Sequence, residues 1–186
     1  MLLMTELNLK LLNWEAGKLA DKIIRRLPLK NGQRVAEIGA GGGAFTLPMA
    51  RIVGRSGEVY AVDTDSARLA YIGRRARKAG LLEQITLVLG EEEDCLLPEE
   101  TIDLAFSRNC FHHIKRPGSY FSSLALALKT GGTAVLIDHD GSRGWLPKHG
   151  HSSTPERIRS TMKQAGFRFS ESVTEFPGQS FQIFIK

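Results

Sequence analysis

Only two cysteines, Cys95 and Cys110, occur in the 186 residues. They supply neither a disulfide framework nor a metal-ligand set, which excludes a stapled scaffold and a cysteine-held zinc. Both read as small buried thiols. Long apolar runs are missing too, and none approaches the roughly 20 residues that span a bilayer. The opening stretch MLLMTELNLKLLNW is broken by Glu6 and Lys10 and makes a poor signal peptide. A cytoplasmic protein without a membrane span is therefore expected. Internal repeats, low-complexity tracts and linker-like segments are also lacking. At this length a single domain with a full core is expected.

Aromatic residues make up only 8% of the chain, and this bears on its formal charge of +5. A basic balance invites a nucleic-acid reading. The densest basic cluster is Arg74, Arg75, Arg77 and Lys78, and it has no interleaved aromatics to stack on bases. It reads as a solvated helix face, and nucleic acid is not favoured as a partner. Three histidines, His139, His149 and His151, fall in DHDGSRGWLPKHGH, but their spacing matches no zinc pattern, so no metal is expected.

What the chain does have is an alternation of helix and strand periods along its length. Residues 12–27 place Leu12, Ala16, Leu19, Ile23 and Leu27 on one helical face before Pro28. Strands are expected at 34–38, GEVYAVD, ITLVLG, IDLAFS and TAVLIDHD. Helices are expected at 44–53, from a Ser66 cap to about Lys78, over SYFSSLALALK up to Gly131-Gly132, and over PERIRSTMKQAGF. The last of these carries a Ser153–Glu156 capping box. RFSESVTEF and SFQIFIK, joined by Pro177-Gly178, should pair as an antiparallel hairpin. The predicted fold is α/β, a Rossmann-like seven-stranded, mostly parallel sheet with helices on both faces and a C-terminal antiparallel hairpin. Ligands of such sheets sit beyond the carboxyl ends of the strands.

The loop after the first strand, EIGAGGGA, carries the sharpest signal. Gly39, Gly41 and Gly43 follow a strand and open a helix, the context in which a glycine motif gains weight. Asp63 ends the second strand, placed to accept hydrogen bonds from ribose hydroxyls. Glu37 sits where a dinucleotide would bring its pyrophosphate. A carboxylate about 4 Å from a phosphate costs on the order of 1 to 4 kcal/mol, depending on screening. An adenosyl ligand with a cationic amino group in place of phosphate turns that cost into attraction. S-Adenosylmethionine is such a ligand, and an NAD(P)-dependent oxidoreductase is the rival that leaves Glu37 unexplained.

Several segments in register resemble the class I S-adenosylmethionine-dependent methyltransferases. AEIGAGGG resembles their first motif and VYAVDTD their second. VLGEEEDCLLPEETIDLAFSRNCFHHI is similar to the stretch that wraps the adenine and runs through the fourth strand. LALKTGGTAVLID and PERIRSTMKQAGF are similar to the fifth-strand segment and the helix before the hairpin. The nearest flavour is the small-molecule branch that includes ubiquinone/menaquinone-biosynthesis-type enzymes.

The resemblance implies S-adenosyl-L-methionine as cofactor and a small molecule as methyl acceptor. It implies that the backbone at Gly39 and Gly41 approaches the methionine moiety, that Gly43 belongs to the same cofactor-binding loop, that Glu37 holds the ammonium, often through water, and that Asp63 binds the ribose. Glu91 and Glu92 align with adenine contacts, where the family usually has Asp-Ala or Asp-Pro. Asn109 would face the methionine part or the methyl. His112 and His113 are the candidate bases, with one of them expected to pack or cap instead. Arg108, Phe111, His139, Trp145, His149 and His151 are further substrate-facing candidates.

The family's Asp/Asn-Pro-Pro-Tyr/Phe signature of planar-amine methylation is replaced by SRNC, which argues against that chemistry. RNA or protein methylation with the same cofactor is a further alternative. Residues 1–30 would cover the pocket, 31–141 form the cofactor-binding core, and 142–186 supply the substrate-side loop, helix and hairpin. The oligomeric state is open, a homodimer included.

Overall fold

The computed structural model describes residues 6–142 and 152–186. Trp145, His149 and His151 lie outside the described residues. Seven strands make one sheet in the order β3-β2-β1-β4-β5-β7-β6. The chain divides into two compact units, one up to Gly90 and one from Glu91.

In the first unit, α1 (Glu6–Ile24) precedes β1 (Arg34–Ile38), α2 (Thr46–Val53), β2 (Glu58–Asp63), α3 (Ser66–Lys78) and β3 (Ile85–Leu89). β1 pairs parallel with β2, and β2 parallel with β3. Right-handed crossovers through α2 and α3 are what parallel neighbours require. The buried face of α1 is Ala20, Ile23 and Ile24, with Leu27 following in the turn. Leu19, expected on that face, is instead 36% exposed. Ala20 and Ile24, each one position on from the expected Leu19 and Ile23, take the buried face together with Ile23. The side chains of Leu12 and Ala16 lie outside the described ones. Asp65, not Ser66, caps α3, its carboxylate accepting from the Ala67 amide at 2.8 Å. Asp is at least as good a cap as Ser, and it stands one residue earlier.

In the second unit, β4 (Ile102–Arg108) runs parallel to β5 (Leu128–His139), with α4 (Pro117–Ala127) between them. Gly131 and Gly132 do not close α4. They lie within β5, where the register against β4 shifts between Ile102 and Leu104. Gly131 takes the left-handed backbone (φ 78°) that such an irregularity asks of glycine. After α5 (Pro155–Gln164), β6 (Arg168–Val173) and β7 (Gln179–Ile185) form the antiparallel hairpin. β7 also pairs antiparallel with β5. The cap of α5 is Thr154, accepting from the Arg157 amide at 3.2 Å. Ser153 is buried and gives its amide to the His139 carbonyl, so the expected capping box is replaced by the next hydroxyl.

Candidate functional site

In the first unit, β1 delivers Glu37 to the start of the glycine loop, and the carboxyl is 3% exposed. It accepts a hydrogen bond from the Thr46 hydroxyl at the first residue of α2. Burial, only partly offset by that hydrogen bond, raises its pKa from 4.5 to about 8. This changes the electrostatic argument made from sequence. At neutral pH the group is mostly protonated and carries no standing charge to repel phosphate.

The loop amides bear on the fit of a pyrophosphate more directly. Gly39 and Ala40 both donate to the Val62 carbonyl, Gly43 donates to Ala40, and Gly41 donates to Asp63 Oδ2 at 2.8 Å. A phosphate cradle needs such N–H groups unspent. Gly43, at φ 74°, has the left-handed backbone that favours glycine, and a Cβ there would crowd Ile72 at 3.0 Å and Leu47 at 3.3 Å. Over Gly41 (φ 56°) the nearest atom to a built Cβ is 3.9 Å away, so the backbone is open to close approach. Gly42 is a position that the sequence reading left without a role. Its carbonyl accepts from Asn13 Nδ2 at 2.7 Å and from Arg75 Nη1 at 2.5 Å. Arg75 is thus not simply part of a solvated basic face.

Asp63 is 5% exposed, and besides Gly41 it accepts from the Asp65 amide at 3.0 Å and lies 3.6 Å from Arg68. A carboxylate offers about four lone-pair sites. Asp63 therefore braces the loop and keeps acceptor capacity for a diol. Asp63→Ala should weaken nucleoside binding at least tenfold and lower stability by about 1–3 kcal/mol through the orphaned Gly41 amide. Asp63→Asn, which retains one acceptor oxygen, should recover much of the stability and little of the affinity. Calorimetric titration and urea melts of both variants check this.

In the second unit, Glu91 and Glu92 are exposed. Glu92 pairs with Lys115, and Glu93 with Arg116 at 2.6 Å. These pairs tie the segment after β3 to the one after β4, an occupation of Glu92 that sequence did not reveal. Asn109 has the left-handed φ of 51° that asparagine tolerates, its amide donates to the Ile137 carbonyl, and its Oδ1 is buried without a hydrogen bond. Cys95 is buried with its thiol pKa pushed up by desolvation, and Cys110 is half-buried.

His112 and His113 part company. His113 is exposed, whereas the His112 side chain is 4% exposed, with Nδ1 2.6 Å from Oδ1 of Asp138. Asp138, at the end of β5, is fully buried and also accepts from the amides of His112 (3.0 Å) and His139 (2.8 Å). A carboxylate only accepts, so Nδ1 is the donor in this contact and Nε2 is the other ring nitrogen. An imidazole held in this way by a buried carboxylate has the geometry that a base with an orienting acid requires. Asp138 was not singled out from the sequence. The available signal was an acid closing an otherwise apolar strand, the same signal that marked Asp63. The Arg108 guanidinium is held below its usual pKa by burial, and the His139 imidazole likewise, Arg108 and His112 adding to the effect on His139. No cluster of metal-ligating side chains occurs among the described residues.

The strand order, parallel except for the terminal hairpin, with a glycine loop after β1 and acids closing β1, β2 and β5, defines a Rossmann-like ligand-binding α/β fold. The chain belongs to the family described as "Methyltransferase domain", matched over residues 36–136. It is 35% identical over 85 residues to a probable cobalt-precorrin-6B C(15)-methyltransferase (decarboxylating) of Saccharolobus solfataricus, covering 46% of this chain and 41% of that protein. It is 26% identical over 107 residues to the ubiquinone/menaquinone biosynthesis C-methyltransferase UbiE of Vibrio vulnificus, covering 58% and 41%. The chain thus spans about two fifths of the length of these curated relatives. The crystal structure of a SAM-dependent methyltransferase from Aquifex aeolicus has the same fold, with a TM-score of 0.84 at 24% identity over 95% of each chain.

Proposed function

We propose that the protein transfers the methyl group of S-adenosylmethionine to a small-molecule acceptor. The observation that carries this reading is the glycine loop, whose Gly39, Ala40, Gly41 and Gly43 amides are spent within the protein, beside the buried Glu37 carboxyl. Family membership supports it, as do the relatives' names, which describe methylation of small molecules.

The residues present fit the cofactor. Glu37 would take its ammonium, the open backbone at Gly39 and Gly41 its methionine chain, and Asp63 its ribose hydroxyls. The resemblance also assigns Glu91 and Glu92 to the adenine and Asn109 to the methionine part or the methyl. When bound, the cofactor supplies a methyl group activated by a sulfonium. The protein's work is then alignment and exclusion of water, where effective molarities of 10⁵ to 10⁸ M, about 7 to 11 kcal/mol, are attainable. Where the acceptor starts protonated, His112 takes its proton at Nε2 while Asp138 fixes the tautomer. His113, being exposed, is the weaker candidate. A helix long and apolar enough to cross a membrane is absent among the described residues, and with two cysteines and no disulfide framework we place the protein in the cytoplasm.

Titration calorimetry of the purified protein tests the reading. S-Adenosylmethionine and S-adenosylhomocysteine should bind with micromolar affinity, and NADH should give no heat. Binding of NADH alone would overturn the assignment. Incubating metabolite extracts with labelled cofactor and scanning for the mass of one added methyl would then reveal the acceptor.

A further inference from the structure

We infer that Asn13 of α1 is a ligand-binding residue, and that it latches the helix over the glycine loop to form the binding site for an amino-acid end. Three observations within the first unit carry this. Asn13 Nδ2 donates to the Gly42 carbonyl at 2.7 Å, 29 residues away in the chain. The amide lies against Gly42 so closely that a built Cβ there would meet Asn13 Oδ1 at 2.6 Å and Cγ and Nδ2 at 2.7 Å. Its Oδ1 is buried and has no hydrogen-bond partner.

The orientation of the amide follows from its neighbour. A carbonyl can only accept, so the nitrogen faces Gly42 and the oxygen is the atom left over. The Gly42 oxygen is itself saturated, because Arg75 Nη1 occupies its second lone pair at 2.5 Å. The loop carbonyl is therefore an anchor and not a ligand contact. The unsatisfied acceptor next to the loop is Asn13 Oδ1. Leaving such an atom buried and unpaired is costly, so the site is built for a donor that arrives with the ligand.

The donor that matches is an α-ammonium, since it carries several N–H groups and can bond Glu37 and Asn13 together. This inference rests on the proposed adenosyl-amino-acid ligand and adds to it a named contact from outside the glycine motif. It also makes the placement of α1 part of ligand binding. The helix is held by the same side chain that meets the ligand, so binding should protect α1 from exchange.

The test compares two probes on the full chain. S-Adenosylhomocysteine has the amino-acid end, and 5′-methylthioadenosine lacks it. Asn13→Ala should weaken S-adenosylhomocysteine about tenfold while changing methylthioadenosine less than twofold. In hydrogen-exchange mass spectrometry, S-adenosylhomocysteine should slow exchange in α1 of the wild type and do so much less in the variant. Gly42→Ala, which displaces the amide while leaving Asn13 in the sequence, should reproduce the selective loss and serves if Asn13→Ala folds poorly. Equal weakening of both probes, or no weakening of either, would overturn the inference while leaving the cofactor assignment standing. Failure of S-adenosylhomocysteine to bind the wild type would instead remove the cofactor assignment and the inference with it.

Discussion

Glu37→Gln should bind S-adenosylhomocysteine at pH 8 about 10- to 150-fold more weakly than the wild type. The range corresponds to the roughly 1.5–3 kcal/mol that a hydrogen bond to a charged partner contributes. The substitution keeps the shape and an acceptor for Thr46 but cannot become an anion. The ligand-free variant should move the other way in stability. In the wild type the folded-state pKa of about 8 lies above the ordinary 4.5, so the folded protein holds the proton more tightly than the unfolded chain. That contribution is fully present below pH 4.5 and is lost as pH rises through about 8. Wild-type stability should therefore fall by on the order of 1.4 kcal/mol per pH unit between about 5 and 8 from this group alone. Glu37→Gln removes that slope. Urea melts at pH 5.5 and 8.5 check both signs, and parallel pH profiles in the two proteins would refute the assignment.

Asp138→Ala should be the most destabilising of the substitutions considered, by about 3–5 kcal/mol. It strips the acceptor from two backbone amides and from the buried His112 ring at once. For a chain of this size such a loss lowers Tm by roughly 10 °C or more. Asp138→Asn should be milder in stability, since one oxygen still accepts. It also presents an N–H that can drive His112 into the other tautomer. Nitrogen-detected NMR of the His112 ring reads this directly: Nδ1 should carry the hydrogen in the wild type and lose it in Asp138→Asn. An unchanged tautomer would show that Asp138 serves the backbone alone.

The sheet was legible because its strands announce themselves by period and by the glycines and acids that end them. β1, for example, falls on the expected residues 34–38. The glycine loop and Asp63 were legible for the same reason, being local in sequence. Features that depend on a partner far along the chain were not. The His112–Asp138 pair spans 26 residues and exists because β4 and β5 run parallel, which brings the segments after both strands together. Asn13 reaches Gly42 across 29 residues, and no periodicity predicts that a helix side chain will lie on a glycine. Glu92 looked available from sequence, yet Lys115 engages it. The misplaced caps have a simpler cause. Asp65-Ser66 and Ser153-Thr154 each offer two capping side chains in succession, and only the backbone angles choose between them. The state of Glu37 was not legible either, since residue type suggests a charge while burial raises the pKa of the carboxyl.

The central claim is that this buried carboxyl is neutral until a cationic adenosyl ligand ionises it. Titrating the wild type with S-adenosylhomocysteine at pH 7, in buffers of different ionisation enthalpy, measures the protons released on binding. Close to one proton per ligand should appear, and affinity should strengthen as pH rises from 6 to 8. Binding without proton release, at an affinity that is flat across that range, would contradict the account.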